Sequence, residues 1–345
     1  VSSSGPSIWP PSGDAVVVAT PDASTVVIGD QRGDVHVLQA HAGQEALVAK
    51  AQDLSFFGHN ASIRSLEISP DGSLVASTAD DNSLRIWNVV DGLPRPFIAS
   101  IPGEPVGAMA FSADAAMLGV LNGQTVSVVD SATGALLARF DLGERHRSLA
   151  FADNDHLYVG SESGALRVIS RQTVDDWSQQ NVWQGRSAIR WLRASPQSQL
   201  LVLVDEDNLA QQFSLAEGQI GEATLALPGG VEDVAFAPAG QHVMFRTANW
   251  VHRASSSVVG LLWTNSILAP KAIPGSRLVF GDPATDSSAA LGGRFFLPVA
   301  GDGRVRLAEL NFITTGAPGL FGNKDQLIAE WRRKLAIVAA QSPDE

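Results

Sequence analysis

The stretch that decides the fold is LEISPDGSL, residues 66–74. An alternating apolar segment meets a Ser-Pro-Asp-Gly reversal, and a second apolar segment starts at once. Proline at the second turn position presets φ, and aspartate followed by glycine tolerates the tight reversal, so a β-hairpin is chemically specified. The same phrase returns as VVVATPDAS around Pro21, AMAFSADAA around Ala113, SLAFADNDH around Asp153, WLRASPQSQ around Pro196 and DVAFAPAGQ around Pro238. Successive turns lie 49, 43, 40, 43 and 42 residues apart. A period of about 40–45 residues holding about four strands is that of a β-propeller blade.

Each unit reads as strands a to d. In the second unit the pattern predicts a over 63–68, b over 74–78, c over 83–88 and d near 97–101. Strand c sets Leu84 and Ile86 against Ser83 and Arg85, which predicts one face packed on a neighbouring blade and one partly solvated. A seventh, weaker unit has a over 277–280, an enlarged connection over 282–292, b over 294–299 and c over 305–310 after Gly301-Asp302-Gly303. It lacks an outer strand of its own, and the segment 5–9 ahead of the first unit is one strand without a partner. Pairing the two would close the ring and remove an exposed edge. The expectation is thus an all-β chain, a seven-bladed β-propeller over 5–312 closed by an N-terminal strand, with a linker and C-terminal amphipathic helix over 313–345.

The helix signal is local. Asn323 with Gln326 matches a capping box, Leu327, Ile328, Trp331, Leu335 and Val338 follow at helical spacing, and Pro343 ends the run. Such a helix either packs on the propeller or joins it to a further domain or a partner.

Composition narrows the classes. The 345 residues carry 24 Lys+Arg against 36 Asp+Glu, a formal net charge of -12, and no run of cations suited to a phosphate backbone, so no nucleic-acid partner is expected. No apolar run approaches the roughly 20 residues that span a bilayer as a helix. Cysteine is absent, which removes disulfides, thiolate metal sites and a cysteine nucleophile, and suits the cytoplasm and an oxidising compartment such as the periplasm equally. The first residues are Val1-Ser2-Ser3-Ser4, as in a mature form or a piece of a longer chain.

One unit resembles a known family. Phe57-Gly58-His59, Ser69-Pro70-Asp71-Gly72 and STADDNSLRIWN over 77–88 together resemble a WD repeat of the WD-repeat β-propellers. The resemblance implies a buried, hydrogen-bonded set of His59, Ser77, Asp81 and Trp87. Elsewhere the pattern decays. The third unit, QTVSVVDSATGALLARFDLG over 124–143, is more similar to the bacterial surface-layer style of propeller repeat, with Val129-Asp130 where the Trp-Asp pair would stand.

Several residue groups invite a chemical reading. Ser77, His59 and Asp81 have the types of a catalytic triad, but a working triad needs an exposed serine oxygen beside an oxyanion hole, and these positions fall inside a blade. The runs Asp80-Asp81-Asn82, Asp153-Asn154-Asp155 and Asp205-Glu206-Asp207-Asn208 fall at hairpin turns, where Asp and Asn bond the local backbone, and none forms a calcium loop. The blade starts that would face a central channel, Asp14, Asn60, Glu104, His146, Ser187, Asp233 and Ser276, offer no convergent set of histidines for a metal. His36 and His41 cannot act as an i, i+2 ligand pair. No metal and no cofactor are expected. Trp87, Trp191 and Trp263 fall on strand patterns and read as core, whereas Trp177, Trp183 and Trp250 fall in less regular segments and are the candidates for an exposed interaction surface.

With no residue set that demands chemistry, the expected function is a non-catalytic protein-interaction platform, a scaffold or module of a larger bacterial protein. Its partner would be another protein or another domain of the same polypeptide. The alternative is a small-molecule- or metal-binding propeller with hydrolase-type activity at the channel mouth.

Overall fold

The computed structural model describes residues 15–19, 25–39, 59–89, 105–174, 176–195, 199–237, 240, 242–257, 260–268, 278–281, 294–301 and 304–309. Among them every long regular element is a strand, and the strands form seven antiparallel sheets in chain order. The first sheet holds β1 (Val16–Ala19), β2 (Thr25–Gly29) and β3 (Val35–Gln39); the second holds β4 (Ile63–Ile68), β5 (Leu74–Ala79) and β6 (Leu84–Asn88). The third runs β7 (Ala108–Phe111), β8 (Met117–Asn122), β9 (Thr125–Asp130) and β10 (Leu136–Asp141), and the fourth β11 (His146–Phe151), β12 (His156–Ser161), β13 (Ala165–Arg171) and β14 (Trp177–Gln184). In the fifth, β15 (Ile189–Ala194), β16 (Leu200–Asp205) and β17 (Leu209–Ser214) are completed by two short strands that both pair with β17, β18 (Gln219–Ile220) and β19 (Leu225–Ala226). The sixth is β20 (Val231–Phe236), β21 (His242–Thr247), β22 (Trp250–Ser257) and β23 (Gly260–Leu268), and the seventh β24 (Val279–Gly281), β25 (Arg294–Gly301) and β26 (Arg304–Glu309). The chain divides into two units, Val1–Leu310 and Asn311–Glu345. The second unit with its expected helix, the strand expected over 5–9, the strand near 97–101 and the connection over 282–292 lie outside the described residues.

Burial explains why the sheets stack. β2, β5 and β8 are buried at every position, and β12 and β21 at all but their first. A strand buried on both faces needs an apolar partner on each side. Alternation along the second sheet supplies both. Val75, Ala79 and Trp87 pack with Val18, Val27, Val35 and Val37 of the first sheet. Leu74, Ala76, Leu84 and Ile86 pack with Met109, Phe111, Leu118 and Val120 of the third. The half-solvated face expected for residues 83–88 is therefore corrected: the sheet is sandwiched between two others, and only Arg85 and Asn88 of β6 keep partial exposure. The inner strands meet in sequence, β1 against β4, β4 against β7, β7 against β11, β11 against β15 and β15 against β20.

The repeated turn is built by side chains more than by proline. Ser69 Oγ donates to Asp71 and accepts from Leu74 N (2.9 Å). Where the third sheet has alanine in place of Pro70, Ser112 Oγ donates to Asp114 (2.7 Å) and accepts from Met117 N (2.9 Å) in the same way. Both turns need a left-handed residue, supplied by Gly72 (φ 72°) in one and Ala115 (φ 59°) in the other. Ser-x-Asp locks the reversal well enough to hold an alanine where glycine is preferred.

Neighbouring sheets approach closely at one repeated point. A Cβ on Gly29 of β2 would lie 2.5 Å from Ile63 Cγ2 at the start of β4, and one on Gly160 of β12 would lie 2.6 Å from Ile189 Cγ2 at the start of β15 and 2.6 Å from Ser148 Oγ. Both isoleucines are buried and cannot swing into solvent. Gly160→Ala is therefore expected to destabilise the fold by about 1–3 kcal/mol through overpacking. A urea midpoint that stays in place would contradict so tight an approach.

Candidate functional site

The second sheet brings His59, Ser77, Asp81 and Trp87 together. Trp87 Nε1 donates to Ser77 Oγ (2.8 Å), whose hydroxyl lies 2.8 Å from His59 Nε2. On the other side of the ring, His59 Nδ1 is 2.7 Å from Ser83 Oγ and 3.3 Å from Asp81 Oδ1, and Ser83 Oγ donates to Asp81 (2.6 Å). Asp81 also accepts from Asn60 N and Ser83 N. One consistent proton order satisfies every group: Trp87 to Ser77 to His59 Nε2, then His59 Nδ1 to Ser83 to Asp81. Ser83 is a member that the family resemblance did not supply. Its signal was visible, since a serine two residues after a turn aspartate is placed to bond it.

The relay is closed to substrate. Ser77 is 0% exposed, Trp87 1% and His59 6%. An attacking serine must face a carbonyl, and here Ser77 is enclosed, its oxygen accepting from the indole N–H and its proton given to the imidazole. Burial pushes the His59 imidazole below its ordinary pKa against the pull of Asp81, so the ring is neutral. Burial opposes the charge on Asp81, but the bonds from Ser83 and Asn60 outweigh it and hold the carboxyl at about 2. The arrangement ties the segment just before β4 to the turn between β5 and β6.

A different feature recurs on the first strand of several sheets. In four sheets the inner strand slips register at its second residue: between Ile63 and Ser65, His146 and Ser148, Ile189 and Trp191, and Val231 and Asp233. The residues skipped by pairing are Arg64, Arg147, Arg190 and Glu232, and all four are exposed. A bulge re-aims its extra side chain, so these sheets present a charge at the same place. The sequence reading missed this set. Each of the four stands six positions ahead of its repeat's turn marker, Pro70, Asp153, Pro196 or Pro238, so aligning the repeats on their turns would have shown a column with three arginines.

Beside these bulges lies a cavity of about 570 Å³, lined among others by Arg145, Arg147, Arg190, Trp191, Arg193 and Glu162. Arg147 Nε donates to Glu162 (2.9 Å), and its Nη1 lies 3.6 Å from Glu206. Arg193 crosses the Trp191 ring at 5.5 Å and donates to the carbonyls of Val234 and Leu192. Trp191 Nε1 donates to Val231 O (3.0 Å). Trp191 is half-buried: it packs against the core shared by the fifth and sixth sheets, as its reading as core expects, and also lines the cavity.

The other candidates separate. Trp177 is half-buried, edge-on to Phe140 at 6.3 Å and capped by Arg171 at 5.8 Å. Trp183 packs against the core between the fourth and fifth sheets. Trp250, at 38%, is the exposed one of the three. Among the suggested channel positions, His146 and Asp233 are buried, with Asp233 accepting from Leu278 N (2.6 Å), while Asp14, Glu104 and Ser276 lie outside the described residues. The acidic runs build turns: Asn82 and Asn208 take φ of 58° and 61°, and Asp153 accepts from Asp155 N and His156 N. Asp30, Asp34 and His36 place ligand-type atoms within 4.8 Å of one another, yet Asp30 is already used by Arg32 N (2.8 Å) and Asp34 N (2.9 Å).

The comparisons agree with this geometry. Residues 51–88 match the family model described as WD40: WD domain, G-beta repeat. The chain is 28% identical over 123 residues to Cross-pathway control WD-repeat protein 2 of Flammulina velutipes, covering 32% of this chain and 38% of that protein. It is 27% identical over 114 residues to Apoptotic protease-activating factor 1 of Danio rerio, covering 32% of this chain and 9% of that protein. It is 26% identical over 110 residues to p21-activated protein kinase-interacting protein 1-like, also of Danio rerio, covering 32% and 29%. The similarity therefore spans well under half the length of these relatives. The solved β-propeller domain of Myceliophteria thermophila Cps50 (Swd1) superposes with a TM-score of 0.63 at 17% identity, over 86% of this chain and 96% of that one. The fold is a β-propeller, and its second blade is a WD repeat.

Trp87→Ala removes a fully buried indole and leaves Ser77 Oγ short of a donor, so a loss of about 3–5 kcal/mol is expected. An unchanged melting temperature would refute the closed relay. Acid should also destabilise the fold. His59 and His252 are neutral in the folded chain, with His252 lowered by burial from 6.5 to about 4. The unfolded chain takes up these protons first, so stability is full above about pH 6.5 and falls as pH drops towards 4; Asp81 adds a further loss between about pH 4 and about pH 2. Melting temperatures followed between about pH 7 and about pH 4 check the sign, and a flat profile would contradict it.

Proposed function

We propose that this chain is a non-catalytic protein-interaction platform, a closed seven-bladed ring that serves as a scaffold or module of a larger bacterial protein. The observation that carries the reading is the contrast between its two polar clusters. The triad-like groups of the second blade are consumed by one another, while the charged groups at the channel end project from backbone bulges towards solvent. A rigid ring with projecting arginines and a half-exposed tryptophan has the residue types that anchor protein interfaces. One relative is itself named as a kinase-interacting protein. The alanine-rich, cysteine-free composition and the surface-layer style of the third unit support the bacterial source. A metal-assisted hydrolase at the same place is disfavoured electrostatically, since the four arginines along the cavity outnumber Glu162, Glu206 and Asp233 beside them and these carboxylates are held in ion pairs.

The test is affinity capture from native lysate with the full chain as bait, quantified by mass spectrometry. One reproducible partner at near-stoichiometric yield is expected. No partner, together with hydrolysis of ester or lactone substrates that is lost on chelation, would replace this reading with the enzymatic one.

A further inference from the structure

The cavity gathers cations in an acidic chain. The chain carries a formal charge of -12, yet Arg145, Arg147, Arg190 and Arg193 line the cavity, with Glu162 on its wall and Glu206 and Asp233 within 4.0 Å of Arg147 and Arg193. His146, also on its wall, adds no charge at neutral pH, because burial lowers its pKa. In a concave site with low-dielectric walls, such a cluster focuses a positive potential that the acidic exterior does not share.

The nearby acids leave one arginine over. In the second sheet the bulged Arg64 pairs with Asp80, sixteen residues on, and in the fourth Arg147 pairs with Glu162, fifteen residues on. The matching acid for Arg190 of the fifth sheet is Glu206, sixteen residues on, but its carboxylate lies 3.6 Å from Arg147 instead. Asp233 lies 4.0 Å from Arg193. Arg190 is exposed and makes no ion pair with any described residue.

Resting on the platform reading, we propose that this mouth binds an acidic peptide segment of the protein partner, with a side-chain carboxylate on Arg190 and the peptide stem against Trp191. The cavity, about 570 Å³, is far larger than one small anion requires, and Met109 and Trp191 add an apolar wall that inorganic phosphate cannot use. A nucleic acid would need cations along its track beyond the mouth, where the net charge of the chain is opposed to it.

The test is fluorescence anisotropy on the full chain, with a fluorescein-labelled peptide of alternating glutamate and alanine, its glutamine counterpart as control, and inorganic phosphate and a single-stranded oligonucleotide as competitors. The glutamate peptide is expected to bind, to weaken with added salt, and to bind at least about tenfold more tightly than the glutamine peptide. Arg190→Glu should weaken it by at least about tenfold with an unchanged melting temperature. If that variant melts early, Arg190→Gln is read against the same threshold. No binding, equal binding of both peptides, full affinity in the Arg190 variants, or displacement by equimolar phosphate or oligonucleotide would each overturn the proposal. A partner captured by the wild type and retained in full by Arg190→Glu overturns this site and leaves the platform standing. Peptide binding with no captured partner overturns the platform and leaves an acidic-ligand site.

Discussion

The structure depends on one constraint: the second strand of a blade is apolar on both faces. Leu74, Val75, Ala76 and Ala79 cannot be satisfied by a sheet with one side in water. The blade must be sandwiched, and each neighbour faces the same demand. Stacking therefore passes from sheet to sheet, and the propeller fold follows from the strand pattern by repetition. Where the stack is tightest, at Gly29 and Gly160, there is no space even for a methyl group.

Polar groups inside such a stack must be used up internally. The second blade does this with a chain of five side chains, Trp87, Ser77, His59, Ser83 and Asp81, in which every donor finds an acceptor. The result looks like catalytic machinery by composition and is the reverse of it by geometry. Catalysis requires a group left short of a partner until substrate arrives, and here none is left short. Blades without this relay hold their turns by smaller means, such as Ser112 with Asp114 or Asp130 with Thr133.

Function is then left to the places where the repeat is interrupted. The register slip at the second residue of the inner strands costs a ladder hydrogen bond and gains a projecting side chain. Because it recurs at the same level in several sheets, it builds a charged collar from residues far apart in sequence. Arg147 gathers two carboxylates, and Arg190, one blade on, pairs with none among the described residues. Unequal pairing around a repeated frame can make one sector of a ring specific without changing the core.

The period of the turns and the alternation of the strands determined the propeller fold from the sequence alone, because both signals are local: a Ser-x-Asp reversal and a period-two pattern act within a few residues. Four members of the blade-two relay, His59, Ser77, Asp81 and Trp87, came from the resemblance to a WD repeat, and the fifth, Ser83, only from the structure. Packing decided the rest. Strand c of the second blade reads as half-solvated, since alternation reports two faces and not what covers them; only the neighbouring sheets show that both are buried. The collar of Arg64, Arg147 and Arg190 was unreadable residue by residue. A bulge is a mismatch between two strands, so it exists only once they are paired.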